Sequence, residues 1–311
     1  MELPLTAAMS FQCAKSYQSA LNRWVRPHWQ NYRLQDFNKR AIRASIEEWL
    51  RSLWRSPKNA KGLAPKMVRS IWNVMKLTFK FAVKWGYLNE NPMGEKRVEL
   101  PRGSTKRQKQ PVQLTAAGFF LLLSHLGPCE KVAVAFAGWL GPRISEAFGL
   151  KWQDLDLDIG VVTFRQACVQ GRITPLKTEA SRTNLPVPEE VLELLRQWLS
   201  VTIHGAPSDW VFASPYTKGK RPFWPGQLMK THIKPVALAL GLPNIAWHSF
   251  RHTVSAWGKE AGLELEEVKT LLRHENLATT SEVYGDLGME AKRRIQQQLV
   301  NFVKQQATRV Q

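Results

Sequence analysis

The stretch from Asn91 to Pro111 constrains this chain most. It holds three prolines, two glycines and the basic residues Arg102, Lys106, Arg107 and Lys109. Neither a packed helix nor a central strand accommodates that composition. It divides the 311 residues into two segments, each long enough to bury a core of its own. We therefore expect a domain over 1–100, a basic linker over 101–113 and a second domain over 114–311.

The first segment reads as helices. From Ser10 to Trp29, Phe11, Ala14, Tyr17, Leu21 and Trp24 recur at three- and four-residue steps and so share one face. Ala41 to Trp54 repeats the pattern with Ile42, Ile46, Trp49, Leu50 and Leu53. Leu63 to Trp85 is a longer third helix, with Val68, Ile71, Trp72, Met75, Phe79 and Val83 inward. Lys66, Arg69, Lys76, Lys80 and Lys84 fall mostly on its outer side. Gly86 is the expected stop, reinforced by Asn91-Pro92.

Charge is the second constraint. The formal net charge is +19, which favours a polyanionic partner. Residues 1–100 carry 18 basic and 7 acidic side chains, residues 101–113 carry 4 and none, and residues 114–311 carry 22 and 18. The excess sits in the first third and the linker, where Lys66, Arg69, Lys76, Lys80, Arg102, Lys106, Arg107 and Lys109 are candidate phosphate contacts. A surface charged for solubility is the plainer alternative. The linker is either laid along a phosphate backbone or a tether with incidental charge, and its composition leaves both open.

The second segment opens with an apolar helix from Leu114-Thr115 to Leu126, followed by another over Glu130 to Leu140. The period then changes. Val161 to Phe164 and Arg172 to Leu176, on either side of Gln170-Gly171, read as antiparallel strands, and Arg182 to Val187 as a third. Helices return at Glu189 and continue to Met289–Gln306, whose Ile295, Leu299, Phe302 and Val303 form an apolar stripe. The expected fold is mainly α with a small antiparallel β-sheet: a helical N-terminal domain, then a mixed α+β domain.

Several residue pairs in that second domain carry chemistry. Arg143 and Glu146 stand at i and i+3 if Pro142 begins a helix, and an exposed helical ion pair is the plain alternative. His248 and Arg251 have the same spacing near a helix N-terminus, where backbone N–H groups also favour an anion; a capping histidine beside a surface arginine is the alternative. His248 and His252 at i and i+4 raise metal binding. However, Ser249 stands where a zinc protease needs glutamate, and no third ligand is evident, so no metal is expected. Lys177 and Tyr284 are anonymous when taken singly.

As an ordered set these segments resemble the tyrosine recombinase (phage integrase) family. The resemblance rests on Gly141 to Trp152, Lys177 to Pro188, Trp247 to Thr253 and Leu271 to Tyr284, and it covers roughly residues 110–300. It implies that the second domain is the catalytic domain of that type and the first its core-binding domain. It further implies that Arg143 and Arg251 clamp a scissile phosphate, Lys177 protonates the leaving 5′-oxygen, and His248 is the acid/base beside the phosphate. His274 is then the second, hydrogen-bonding histidine, Tyr284 the nucleophile, and Glu146 a supporting acid. The implied activity is site-specific recombination of double-stranded DNA through a 3′-phosphotyrosyl intermediate and a Holliday junction. A homotetramer on DNA, joined through the C-terminal helix, is also implied, with packing of that helix on its own domain as the alternative.

No cofactor is expected, because a phosphotyrosine conserves the bond energy for religation and no GxxxxGK[ST] loop is present. The rivals are a type IB topoisomerase, which uses a similar residue set, and an inactive DNA-binding relative. Cys13, Cys129 and Cys168 form no CxxC pair, which fits a reducing cytosol. We see neither a signal peptide nor an apolar run long enough to span a membrane, so a cytoplasmic protein is expected.

Overall fold

The computed structural model describes residues 9, 11–54, 62–94, 99–100, 111–176, 184–273 and 288–309. The chain forms two compact units, Met1–Gln110 and Pro111–Gln311, each around its own hydrophobic core.

The first unit is helical among its described residues. Helix α1 (Phe11–Ala20) runs through a wider π-type turn (Leu21–Val25) into α2 (Arg26–Trp29), followed by α3 (Arg40–Leu53) and α4 (Pro65–Lys84). Ile46 and Leu50 of α3 and Val68, Ile71 and Met75 of α4 are fully enclosed, because their spacing keeps them on one stripe. Trp29 meets Trp49 edge to face and lies tilted against Phe37, which in turn meets Phe79. Helix α4 ends as its sequence requires. Gly86 takes φ +76°, and the N–H groups of Gly86 and Tyr87 return to the carbonyls of Val83 and Ala82, a left-handed cap that glycine adopts without strain. Asn91 then donates from Nδ2 to the Lys76 carbonyl and accepts the Met93 N–H, tying the departing chain to α4.

The second unit is built around α6 (Pro128–Leu140), whose residues from Val132 to Leu140 are all buried. A helix apolar on every side must sit at the centre of a domain. It packs against α8 (Glu189–Val201) and α11 (Trp247–Glu260), with α5 (Ala116–Ser124) alongside. Between α6 and α8 lie the one-turn α7 (Ile144–Ala147) and strands β1 (Leu155–Asp156), β2 (Val161–Thr163), β3 (Gln166–Val169), β4 (Arg172–Pro175) and β5 (Asn184–Pro186). The short α9 (Pro225–Leu228) and α10 (Lys234–Ala239) precede α11, and α12 (Leu265–Leu272) and α13 (Met289–Thr308) follow it. The architecture is mainly α with small antiparallel sheets.

Strand pairing departs from expectation. Val161–Thr163 does not pair with Arg172–Pro175; β2 lies between β1 and β5, with Val162 opposite both Leu155 and Leu185. The hairpin is β3–β4, with Cys168 opposite Ile173. Its two-residue turn places Gln170 at φ +52° and Gly171 at +76°. So tight a turn joins only the residues that flank it directly, which is why Gln166–Val169 takes the place expected for Val161–Phe164.

The apolar stripe of the C-terminal helix is used within the same unit. Ile295, Leu299, Val300 and Val303 are buried, and α13 packs against α5 and β5. Polar contacts pin it: Gln296 donates to the Trp139 carbonyl at 2.8 Å, Arg293 to that of Ile159, and Lys304 pairs with Glu190. Among the described residues no helix is long and apolar enough to cross a membrane.

Candidate active site

Helix α6 stops at Gly141, which adopts the left-handed region at φ +59°. Pro142 then turns the chain away, and Arg143 is the cap of α7 rather than part of it, with extended φ −66° and ψ 131°. Pro142 was expected to open the helix; the helix begins two residues later because the Glu146 carboxylate caps the Arg143 N–H at 3.3 Å. The same carboxylate accepts a second bond from Arg143 Nη1 at 3.1 Å. Arg143 and Glu146 thus face each other, with Glu146 buried and Arg143 still partly open to solvent.

Arg251 reaches the same place from α11. Its Nη1 donates to the Gly141 carbonyl at 2.5 Å and its Nη2 to the Leu272 carbonyl. Those acceptors end α6 and α12, where helices leave carbonyls unpaired and where the backbone dipoles favour a cation. One guanidinium therefore joins three helices. Burial first, and then the charges of Arg143 and Arg273, push Arg251 down to about 10, partly offset by Glu146. The site is a cluster of like charge with one buried acid, an environment that an anion would relieve.

His248 stands one turn before Arg251 on α11 and is exposed in the first turn of that helix. Its neighbour Trp247 fixes the helix start, donating from Nε1 to the Pro225 carbonyl at 2.7 Å and packing on Phe148 and Phe250. The Ala246 N–H donates to Ser249 Oγ at 3.0 Å, which caps the helix and gives Ser249 a role other than metal chemistry. Among the described residues no group of three His, Cys, Asp or Glu could hold a metal ion.

The structure thus brings Arg143, Glu146 and Arg251 together, with His248 on the same helix as Arg251. Lys177, His274 and Tyr284 lie outside the described residues. On α4 of the first unit, Lys66, Arg69 and Lys80 are exposed, while the Lys76 ammonium lies over the Trp72 ring at 4.9 Å. Arg102, Lys106, Arg107 and Lys109 also lie outside the described residues.

Sequence reasoning missed Arg273. It is buried at the end of α12 with φ +51°, donates from Nη2 to Glu146 Oε2 at 2.5 Å, and stacks its guanidinium over Phe164 at 3.7 Å. Burial, and the charge of Arg143, lower its affinity for its proton, against the opposing pull of Glu146. Only its place directly before His274, in a stretch already singled out, signalled it.

The family model described as the phage integrase family matches residues 126–290. A XerC-like tyrosine recombinase of Caldanaerobacter subterraneus subsp. tengcongensis is 24% identical over 250 residues, covering 72% of this chain and 63% of that protein. The tyrosine recombinase XerC of Xylella fastidiosa (strain M23) is 24% identical over 246 residues, covering 76% and 74%. The chain therefore spans under two thirds of the length of the first of these relatives. Among solved structures, an integrase of the Tn1549 transposon in complex with a circular intermediate DNA shares 18% identity at TM-score 0.67, over 95% of this chain and 96% of that one. A lambda integrase dimer bound to a core site shares 17% at TM-score 0.60, over 91% and 92%. At these identities the likeness is one of fold.

Proposed function

This chain belongs to the phage integrase family, and from that premise we propose that it is a site-specific recombinase that cuts and rejoins double-stranded DNA. The phenol oxygen of Tyr284 attacks phosphorus while the bond from phosphorus to the 5′-oxygen breaks. The phenol proton passes to His248, and Lys177 protonates the departing 5′-oxygen. Arg143 and Arg251 hold the non-bridging oxygens, and His274 donates a further hydrogen bond. Rejoining reverses the step with a 5′-hydroxyl from another strand, through a Holliday junction, and needs neither ATP nor a metal.

The observation that carries this reading is the meeting of Arg143 and Arg251 around Glu146. Two guanidiniums beside one buried acid suit a phosphodiester, because a planar guanidinium can donate paired hydrogen bonds to the non-bridging oxygens of a tetrahedral phosphate. Charge accumulates on the phosphorane oxygens in the transition state, and fixed donors there stabilise it by about 3–4 kcal/mol each. Phenol is mostly protonated near neutrality, so proton removal must accompany attack.

The first unit, with Lys66, Arg69, Lys76 and Lys80 on α4, and the basic stretch holding Arg102, Lys106, Arg107 and Lys109 supply DNA contacts in this proposal. A homotetramer on DNA and a cytoplasmic, nucleoid-associated location belong to it as well. With the apolar stripe of α13 filled from its own unit, the surface that α13 offers a neighbouring protomer is its polar side, including Arg294, Gln297 and Asn301. The test is trapping on a nicked suicide substrate. The wild-type chain is expected to form a covalent adduct, and Tyr284→Phe to bind the same DNA without forming one. An adduct undiminished in the variant would refute the assignment.

A further inference from the structure

We propose that Arg273 is a positioning residue for the phosphate clamp, acting on Arg143 through Glu146 and on Arg251 through the backbone turn it makes. The proposal rests on the strand-cleaving reading above and adds to it a residue that does not touch the phosphate.

The side chain carries the first half. Glu146 is buried and faces two guanidiniums, Arg143 at 3.1 Å and Arg273 at 2.5 Å. A buried carboxylate paired with Arg143 alone would neutralise it and draw both its oxygens onto that one guanidinium. Arg273 supplies the compensating charge from behind, held flat on Phe164 at 3.7 Å. Glu146 can then orient Arg143 while the cluster keeps more positive than negative charge for a phosphate.

The backbone carries the second half. Arg273 ends α12 in the left-handed region, φ +51° and ψ +56°, which costs a side chain other than glycine some strain. That turn leaves the Leu272 carbonyl, one residue earlier, as an acceptor for Arg251 Nη2. Arginine holds the turn because its head is fixed twice, by Glu146 and by Phe164. A glycine there would make the turn more cheaply and supply no cation. The choice of arginine at a left-handed, buried position therefore points to the charge as the property in use.

The two halves separate by substitution. Arg273→Gly keeps the turn and removes the cation; Arg273→Lys keeps a cation without the planar fork. Adding Glu146→Gln to Arg273→Gly removes the carboxylate left unbalanced. Each is assayed for thermal midpoint, DNA affinity and single-turnover adduct formation at saturating nicked substrate.

We expect Arg273→Gly to slow adduct formation by about tenfold or more while affinity changes by less than about threefold. Arg273→Lys should recover part of the rate, and the double variant should react about fivefold or more faster than Arg273→Gly alone. A double variant no faster than Arg273→Gly would show that Arg273 does not act through the Glu146 charge and overturn the proposal. So would a wild-type rate in Arg273→Gly, or a parallel loss of midpoint and DNA binding that Arg273→Lys does not relieve. A wild-type chain that forms no adduct overturns the strand-cleaving reading instead, and this role with it.

Discussion

The Arg251 guanidinium donates to the carbonyl of Gly141, 110 residues earlier in the chain, at 2.5 Å. That bond ties the helix carrying one candidate phosphate ligand to the turn that presents the other. The site is therefore as rigid as the packing of α6 against α11.

Gly141 is the tightest point of this arrangement. A Cβ there would lie 2.5 Å from Leu272 Cδ2 and 3.4 Å from Val254 Cβ, at a φ of +59°. Gly141→Ala should cost about 2–3 kcal/mol of folding stability from clash and strain together. Urea unfolding measures the loss. Adduct formation should fall as well, since the carbonyl that holds Arg251 must move.

Anions should stabilise the free protein. Burial and two neighbouring arginines pull Arg251 down to about 10, so its charged form is less comfortable folded than unfolded. The resulting loss of stability is fully present well below pH 10 and shrinks as pH rises through about 10 and beyond. An oxyanion beside the guanidinium offsets that loss. Sulfate should stabilise the fold more than chloride at equal ionic strength, by about 1.4 kcal/mol at ten times its dissociation constant, and raise the thermal midpoint accordingly. Arg251→Gln should abolish the difference. The effect should persist from pH 7 to 9 and weaken above pH 10, and equal midpoints in the two salts at pH 7 would count against an anion site.

DNA affinity should depend steeply on salt. Lys66, Arg69 and Lys80 are exposed along α4, and each phosphate contact contributes about 0.9 to the slope of log affinity against log salt. Changing all three to alanine should weaken binding to every sequence alike and flatten that slope by about 2–3. Fluorescence anisotropy across a salt series reads it directly.

Leu299 tests how α13 is used. It is fully buried in its own unit, so Leu299→Ala should destabilise the DNA-free protein by about 3 kcal/mol through a cavity. Were the stripe reserved for a neighbour, the free protein would unfold at an unchanged midpoint.

Much of this was legible from local pattern. The spacing of Ile46, Leu50, Val68 and Met75 announced two helices and their inner faces, because period and burial are coupled within one element. Gly86 announced the end of α4, since its left-handed cap is a local property. Arg143, Arg251 and His248 were singled out as candidates through their place in an ordered set of short motifs.

Strand pairing was read only in part. The two-residue turn at Gln170-Gly171 selects the strands that flank it directly, whereas Val161–Thr163 lies between β1 and the distant β5, a pairing that alternation does not specify. The stripe on α13 was visible, yet an apolar stripe does not say whose core it enters.

The chain's residue order thus determined its helices and its family motifs, consequences of backbone preference and side-chain period. Only the tertiary structure decided that Arg273 stands behind Glu146, 127 residues away, and that Arg251 bridges the ends of α6 and α12. Those are meetings of charges in a shared buried space, and their energies exist only once distant segments have excluded the water between them.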